Sequence, residues 1–141
     1  MGATRTAGGP ALVTDMGNPT QTTRYELCIY NNRGVQMAMG VPGGTGWTTV
    51  GVPSDPKGFK YNDPTAASQG IRQIKTKGSS LFKGLFKVFG KGDALPDTEA
   101  LPLQFPVTAH IYASDGKCWQ AEFQQADTKK NDGGGFGATS H

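Results

Sequence analysis

Apolar and polar side chains alternate strictly in two parts of the chain. Val107, Ala109, Ile111 and Ala113 alternate with Thr108, His110 and Tyr112. After an Asp-Gly turn at Ser114-Asp115-Gly116-Lys117, Trp119, Ala121 and Phe123 alternate with Cys118, Gln120 and Glu122. Period-two alternation around an Asp-Gly turn predicts a β-hairpin. A second hairpin is predicted where Tyr25, Leu27 and Ile29 alternate with Glu26, Cys28 and Tyr30. Asn31-Asn32-Arg33-Gly34 supplies its turn, and Val35, Met37 and Met39 alternate with Gln36, Ala38 and Gly40 in its second strand. Residues 46–50 read as a third strand and residues 58–61 as a short strand inside a loop rich in Pro, Gly, Asp and Asn. Residues 71–77 show only Ile71 and Ile74 three apart, too little to assign.

Residues 80–92, SLFKGLFKVFGKG, fit two periods. On a helix Phe82, Leu85, Phe86 and Phe89 share one face opposite Lys83 and Lys87, the pattern of a cationic helix lying on a membrane surface. On a strand Phe82, Phe86 and Val88 share one face, with Lys83, Lys87 and Lys91 on the other beside Leu81, Leu85 and Phe89. Gly84 and Gly90 each cost a helix about 1 kcal/mol relative to Ala, and aromatic and β-branched residues favour a strand, so the strand reading is preferred. Residues 93–106 hold Pro96, Pro102 and Pro106, which suits an edge-running connection.

About seven or eight short strands, with turn signals roughly every ten residues and no dependable helix, predict an all-β fold, an antiparallel β-sandwich or a barrel-like relative of it. Residues 1–22 are polar and rich in Gly, Thr and Pro and read as an N-terminal arm. Residues 23–125 form the sandwich domain, and residues 126–141, ending in Gly133-Gly134-Gly135-Phe136-Gly137, read as a C-terminal Gly-rich tail. Composition agrees with this division: 21 glycines and 9 prolines in 141 residues are too many for a helix bundle.

Charge and motifs limit the chemistry. The net charge of +3 is well below the field that nucleic-acid binders carry, so nucleic acid is not the expected partner. No apolar run is long enough to span a membrane. A lone strand histidine, His110, reads as structural. Asp55, Asp63, Asp93, Asp97 and Glu99 lack the spacing of a calcium loop, and the Gly-rich runs lack phosphate-loop spacing. No catalytic residue, metal site or cofactor is expected, and the protein is not read as an enzyme. Two surfaces remain as candidates. Trp47, Phe59, Tyr61 and Tyr112 offer a ring platform for glycans. Lys75, Lys77, Lys83, Lys87 and Lys91 offer a basic face, although acids near them in sequence leave little net field. Cys28 and Cys118 lie in strands far apart in sequence and read as either two free thiols or one disulfide. A bridge would close a loop of about 90 residues, worth roughly 4–5 kcal/mol in the chain-entropy model.

The segments Gly58-Phe59-Lys60-Tyr61-Asn62-Asp63, Gly70-Ile71, Lys87-Val88-Phe89-Gly90-Lys91-Gly92, Leu101-Pro102-Leu103, Pro106-Val107-Thr108 and Cys118-Trp119-Gln120-Ala121 follow one another in this order. In them the chain resembles a family of uncharacterised bacterial extracellular β-domains, over residues 27–131. The resemblance implies no activity or functional residues. It implies export to an oxidising compartment, and with it a disulfide between Cys28 and Cys118. It also supports the strand reading of residues 80–92. The chain departs from the family in lacking a cysteine near Trp47, and its opening residues, Met1-Gly2-Ala3-Thr4-Arg5-Thr6, show no apolar signal-peptide run, as expected of a mature segment whose signal is removed or replaced.

Polar arms on a β-sandwich are most simply held by strand addition to a neighbour's open edge, and repeated head to tail that contact builds a filament. The expectation is therefore a secreted structural subunit whose partners are copies of itself, in an extracellular filament or surface assembly. A carbohydrate-binding or adhesin module is the alternative, and a capsid-type coat protein the third reading.

Overall fold

The computed structural model describes residues 2–5, 13–78, 84–91, 101–132 and 135–138. They form β1 (Gly2–Arg5), β2 (Tyr25–Asn31), β3 (Gly34–Val41), β4 (Trp47–Val52), β5 (Asp55–Asn62), β6 (Ile71–Lys77), β7 (Gly84–Gly90), β8 (Val107–Ala113), β9 (Cys118–Phe123), β10 (Thr128–Asp132) and β11 (Gly135–Ala138). Among the described residues there is no α-helix, only 3-10 turns at Val13–Met16 and Gln125–Asp127.

Nine strands follow one another in the order β3-β2-β8-β9-β1-β7-β6-β5-β4, all antiparallel, and β10 pairs with β11 separately. β1 is the joint in this order. Gly2 and Ala3 register on β7, while Thr4 and Arg5 register on β9. On one side of it lie β3, β2, β8 and β9, and on the other β7, β6, β5 and β4. The two halves fold face to face as an antiparallel β-sandwich, the fold that the alternation predicts.

Aromatic side chains join the halves. Tyr25 of β2 meets Trp47 of β4 at 5.4 Å between ring centroids and Phe86 of β7 at 6.4 Å, and Phe86 meets Trp119 of β9 at 4.8 Å. The tilted and edge geometries are those that ring quadrupoles prefer. Alternation supplies the rest of the core, as in β8, where Val107, Ala109, Ile111 and Ala113 are buried in turn.

Four segments differ from expectation. Residues 71–77 form a strand in the middle of one half, between β5 and β7. A bulge between Ile71 and Gln73 inserts a residue, so Ile71 and Ile74 both face inward although they are three apart. Residues 55–62 form an eight-residue strand, not a short island, because β4 and β5 close into a hairpin around Pro53 and Ser54. Part of the expected N-terminal arm belongs to the domain: Met16 and Pro19 are fully buried, and the Met16 carbonyl accepts a hydrogen bond from the Tyr25 hydroxyl. In the expected tail, β10 and β11 form a hairpin, and Phe136 packs on Phe105 and Phe123 at 6.5 and 6.4 Å. Within the expected strand of residues 80–92, residues 84–90 form a strand, with Phe86 buried and Lys87 and Phe89 exposed, and residues 80–83 and 92 lie outside the described residues.

Candidate functional site

The sandwich has two outer faces, and the polar positions of the alternating strands decide what each one carries. On the half made of β3, β2, β8 and β9, Cys28 stands opposite His110 and His110 opposite Gln120, while Tyr112 stands opposite both Glu26 and Cys118. His110 is the centre of a hydrogen-bonded group. Its Nδ1 lies 2.8 Å from the Tyr112 hydroxyl and its Nε2 lies 2.9 Å from Gln120 Oε1, and the Tyr30 hydroxyl sits against the ring edge-on, with ring centroids 4.7 Å apart. Burial pushes the Cys28 thiol up from its ordinary pKa, and the charges of Glu26 and Cys118 add to the shift. Burial, followed by the two cysteines, likewise raises the Tyr30 and Tyr112 hydroxyls. Groups held protonated in this way are poor nucleophiles and poor bases. What the cluster does is fix the side chains of three adjacent strands.

The disulfide expected between Cys28 and Cys118 is not formed: both are free thiols. β8 runs between their strands. Two inter-strand steps of about 4.8 Å separate β2 from β9 by roughly 9.6 Å, whereas a bridge needs Cα atoms within about 7 Å. The register also offsets the two residues along the strands, since Cys28 is level with Gln120.

The expected ring platform is not present either. Trp47, Phe59 and Tyr61 are 7%, 5% and 4% exposed, and only Tyr112, at 40%, reaches the surface. The three buried rings occupy inward positions of β4 and β5, and their polar atoms are satisfied within the protein. Trp47 Nε1 donates to the Pro42 carbonyl at 3.0 Å, and the Tyr61 hydroxyl bonds Asp63 and Ser68.

The other outer face carries the basic residues. Lys75 of β6 is directly opposite Lys87 of β7 on one side and Lys60 of β5 on the other, with Thr48 of β4 continuing the row. Lys77 is exposed on the same strand two residues on, Lys91 is exposed just after β7, and Lys83 lies outside the described residues. The next row on this face is Asn62, Gln73 and Phe89. The described acids among those expected to cancel these charges have other partners. Asp55 is the one carboxylate on β5, β6 or β7, and it pairs with Lys57 at 2.7 Å. Asp63 follows β5 and bonds Thr65 and Ala67, which lowers its pKa. Asp93, Asp97 and Glu99 lie outside the described residues. No ion pair among the described residues involves Lys60, Lys75, Lys77 or Lys87.

Lys60, Asn62, Gln73 and Phe89 were not among the sequence candidates. Alternation of Phe59, Lys60 and Tyr61 is enough to send Lys60 outward, but only the register of β5 on β6 places it beside Lys75.

Among the described residues no three His, Cys, Asp or Glu side chains gather where they could hold a metal ion. A surface depression of about 410 Å3 between the Val13–Met16 turn and β4 and β5 is lined by Val13, Thr14, Asn18, Thr49 and Phe59, with no titratable group among the described residues of its wall. No helix among the described residues is long and apolar enough to cross a membrane. Comparison with protein-family models, with curated proteins and with solved structures finds no match to this chain.

Proposed function

We propose that the protein is a structural subunit of an extracellular filament or surface assembly, joined copy to copy by strand addition. One observation carries this reading. The two strands at the ends of the nine-stranded sheet, β3 (GVQMAMGV) and β4 (WTTVGV), contain no charged residue and no proline. Proteins that remain single guard such edges with lysines, prolines or covering segments, because an unpaired strand edge is a template for another strand. The backbone of β3 is positioned for addition. At its Gly40 end the edge is covered, because the buried Gly40 N–H points away from β2 onto the Gln69 side chain at 2.8 Å; Ala38, two residues away and exposed, also directs its N–H and C=O outward and is where a strand can add.

Pairing the β3 edge of one copy with the β4 edge of the next joins two different surfaces, and such a contact propagates instead of closing. The terminal arm supplies a second joint. Gly2–Arg5 is already an added strand, inserted between β7 and β9 of its own chain, and the same insertion into a neighbour would exchange identical elements between copies. The resemblance of the segments around Gly58-Phe59-Lys60-Tyr61 and Cys118-Trp119 to exported bacterial domains supports the extracellular setting.

The test is electron microscopy and light scattering of the purified chain beside Ala38→Pro and a variant lacking residues 1–5. Ala38→Pro removes an outward N–H without touching the β2–β3 ladder. The expected result is concentration-dependent polymers from the parent chain and shorter or no polymers from the variants, with the β-sheet circular dichroism of Ala38→Pro unchanged. A parent chain that is monomeric at all concentrations, or polymers indifferent to both changes, would overturn the reading.

A further inference from the structure

We propose that the outer face of β5, β6 and β7 binds an acidic polysaccharide, a sugar chain bearing carboxylate or sulfate groups, laid across the strands. The face is a grid of six exposed side chains in two rows, Lys60, Lys75 and Lys87 in one and Asn62, Gln73 and Phe89 in the other. Neighbours within a row have Cβ atoms about 4.5–5.5 Å apart, and the rows are separated by two residues along the strands, about 7 Å.

Like charges placed directly opposite one another destabilise a sheet, and here three stand in line without an ion-pair partner among the described residues. A linear polyanion lying along the row removes that repulsion, so the arrangement favours the bound state over the free one. The second row matches the rest of a sugar chain. Gln73 Nε2 donates to Asn62 Oδ1 at 3.3 Å, which leaves Asn62 Nδ2 as a donor and Gln73 Oε1 as an acceptor for sugar hydroxyls. Phe89, 50% exposed, offers a ring to the apolar side of a pyranose.

Other polyanions suit the grid less well. A single nucleic-acid strand is held by stacking successive bases on several rings and by arginine; this face has one ring, and the single arginine of its three strands, Arg72, has its Nε buried. An anionic bilayer selects a broad set of apolar anchors beside its lysines, whereas the six positions flanking the lysine row hold Asn62, Gln73, Lys77 and Gly58 as well as Phe89 and the half-buried Leu85. The face lies between the sheet edges invoked for assembly, so either reading can fail without the other.

The experiment measures binding of the full chain to polygalacturonate, with neutral dextran, an oligothymidylate and phosphatidylglycerol vesicles alongside. Polygalacturonate should bind, weaken with added salt and raise the melting temperature. Combining Lys60→Gln, Lys75→Gln and Lys87→Gln should reduce binding by at least an order of magnitude while the free protein melts at the same or a higher temperature. Lys117→Gln and Lys130→Gln, off this face, should bind as the parent does. If the triple variant does not fold, Lys75→Gln at the centre of the row is judged by the same criteria. Failure to bind polygalacturonate, binding unchanged by loss of the lysines, or tighter binding of the oligothymidylate or the vesicles would overturn the proposal.

Discussion

The side-chain carboxamide of Asn131 holds both backbone groups of Leu103: its oxygen accepts from the Leu103 N–H at 2.7 Å and its nitrogen donates to the Leu103 carbonyl at 2.7 Å. Leu103 is buried, and Asn131 belongs to β10, so one side chain fastens the C-terminal hairpin to the β7–β8 connection. Asn131→Asp separates the two bonds, because a carboxylate accepts but cannot donate. It leaves the Leu103 carbonyl without its donor and should cost about 1–3 kcal/mol in chemical denaturation. Amide exchange should accelerate in residues 128–138 before it does in β8. An Asp variant as stable and as protected as the parent would show that the hairpin is held by its phenylalanines alone.

Gly58, in the Gly-Phe-Lys-Tyr segment, lies where β5 comes closest to β6. A Cβ built on it would sit 1.9 Å from the Thr76 carbonyl oxygen, a backbone atom that cannot turn aside. The approach also lets the fully buried Thr76 hydroxyl accept from the Phe59 N–H at 3.1 Å. Gly58→Ala must push the two strands apart and should destabilise the protein by about 1–3 kcal/mol, as overpacking does. Gly34, where a Cβ meets nothing within 4 Å, separates crowding from backbone strain: its φ of +101° makes Gly34→Ala a purely conformational cost. Equal stability of the parent and Gly58→Ala in urea would contradict the close approach.

The sheet was legible in the sequence wherever a strand keeps strict alternation, as in β2, β3, β8 and β9. β6 escaped because its bulge breaks the period between Ile71 and Gln73, and a bulge has no signature in so short a run. The buried part of the N-terminal segment escaped for another reason. Met16 is held by burial in a core built from strands along the whole chain, and local composition, dominated by Gly, Thr and Pro, carries no trace of that core. The candidate site shows the same division. Exposure of the lysines follows from alternation, whereas their meeting in one row depends on registers between three strands. Trp47, Phe59 and Tyr61 were misplaced because a ring beside glycines and prolines looks the same in sequence whether it covers a core or a ligand.

Tyr25 ties β2 to the Val13–Met16 turn through its hydroxyl and fills the space between Trp47 and Phe86. Burial, with the nearby Asp115 carboxylate, pushes its pKa well above the ordinary tyrosine value. The folded state therefore holds the proton more tightly than the unfolded chain does. The resulting stability is fully present below the unfolded value of about 10 and is lost as pH rises past it toward the folded value. Tyr25→Phe should cost about 1–3 kcal/mol at neutral pH, by leaving the buried Met16 carbonyl without its donor. It should also flatten the alkaline decline, so urea midpoints of parent and variant should converge above pH 10. Parallel curves across that range would show that another group controls alkaline unfolding.

With β8 lying between them, Cys28 and Cys118 should remain two free thiols per chain after purification in air, titrated in denaturant without reductant. Reductant should leave the melting temperature unchanged, because no cross-link restrains the unfolded chain. The raised pKa of Cys28 adds a kinetic expectation. Burial, with Glu26 and Cys118 nearby, keeps the thiolate scarce at neutral pH, so iodoacetamide should modify Cys28 more slowly in the native protein than in the unfolded chain, and faster as pH rises. Glu26→Gln removes one of the charges that oppose ionisation and should speed the native reaction at fixed pH without altering the rate in denaturant. A melting temperature that drops on reduction, or a thiol titre near zero, would mean that the register of β2, β8 and β9 brings the sulfurs together after all.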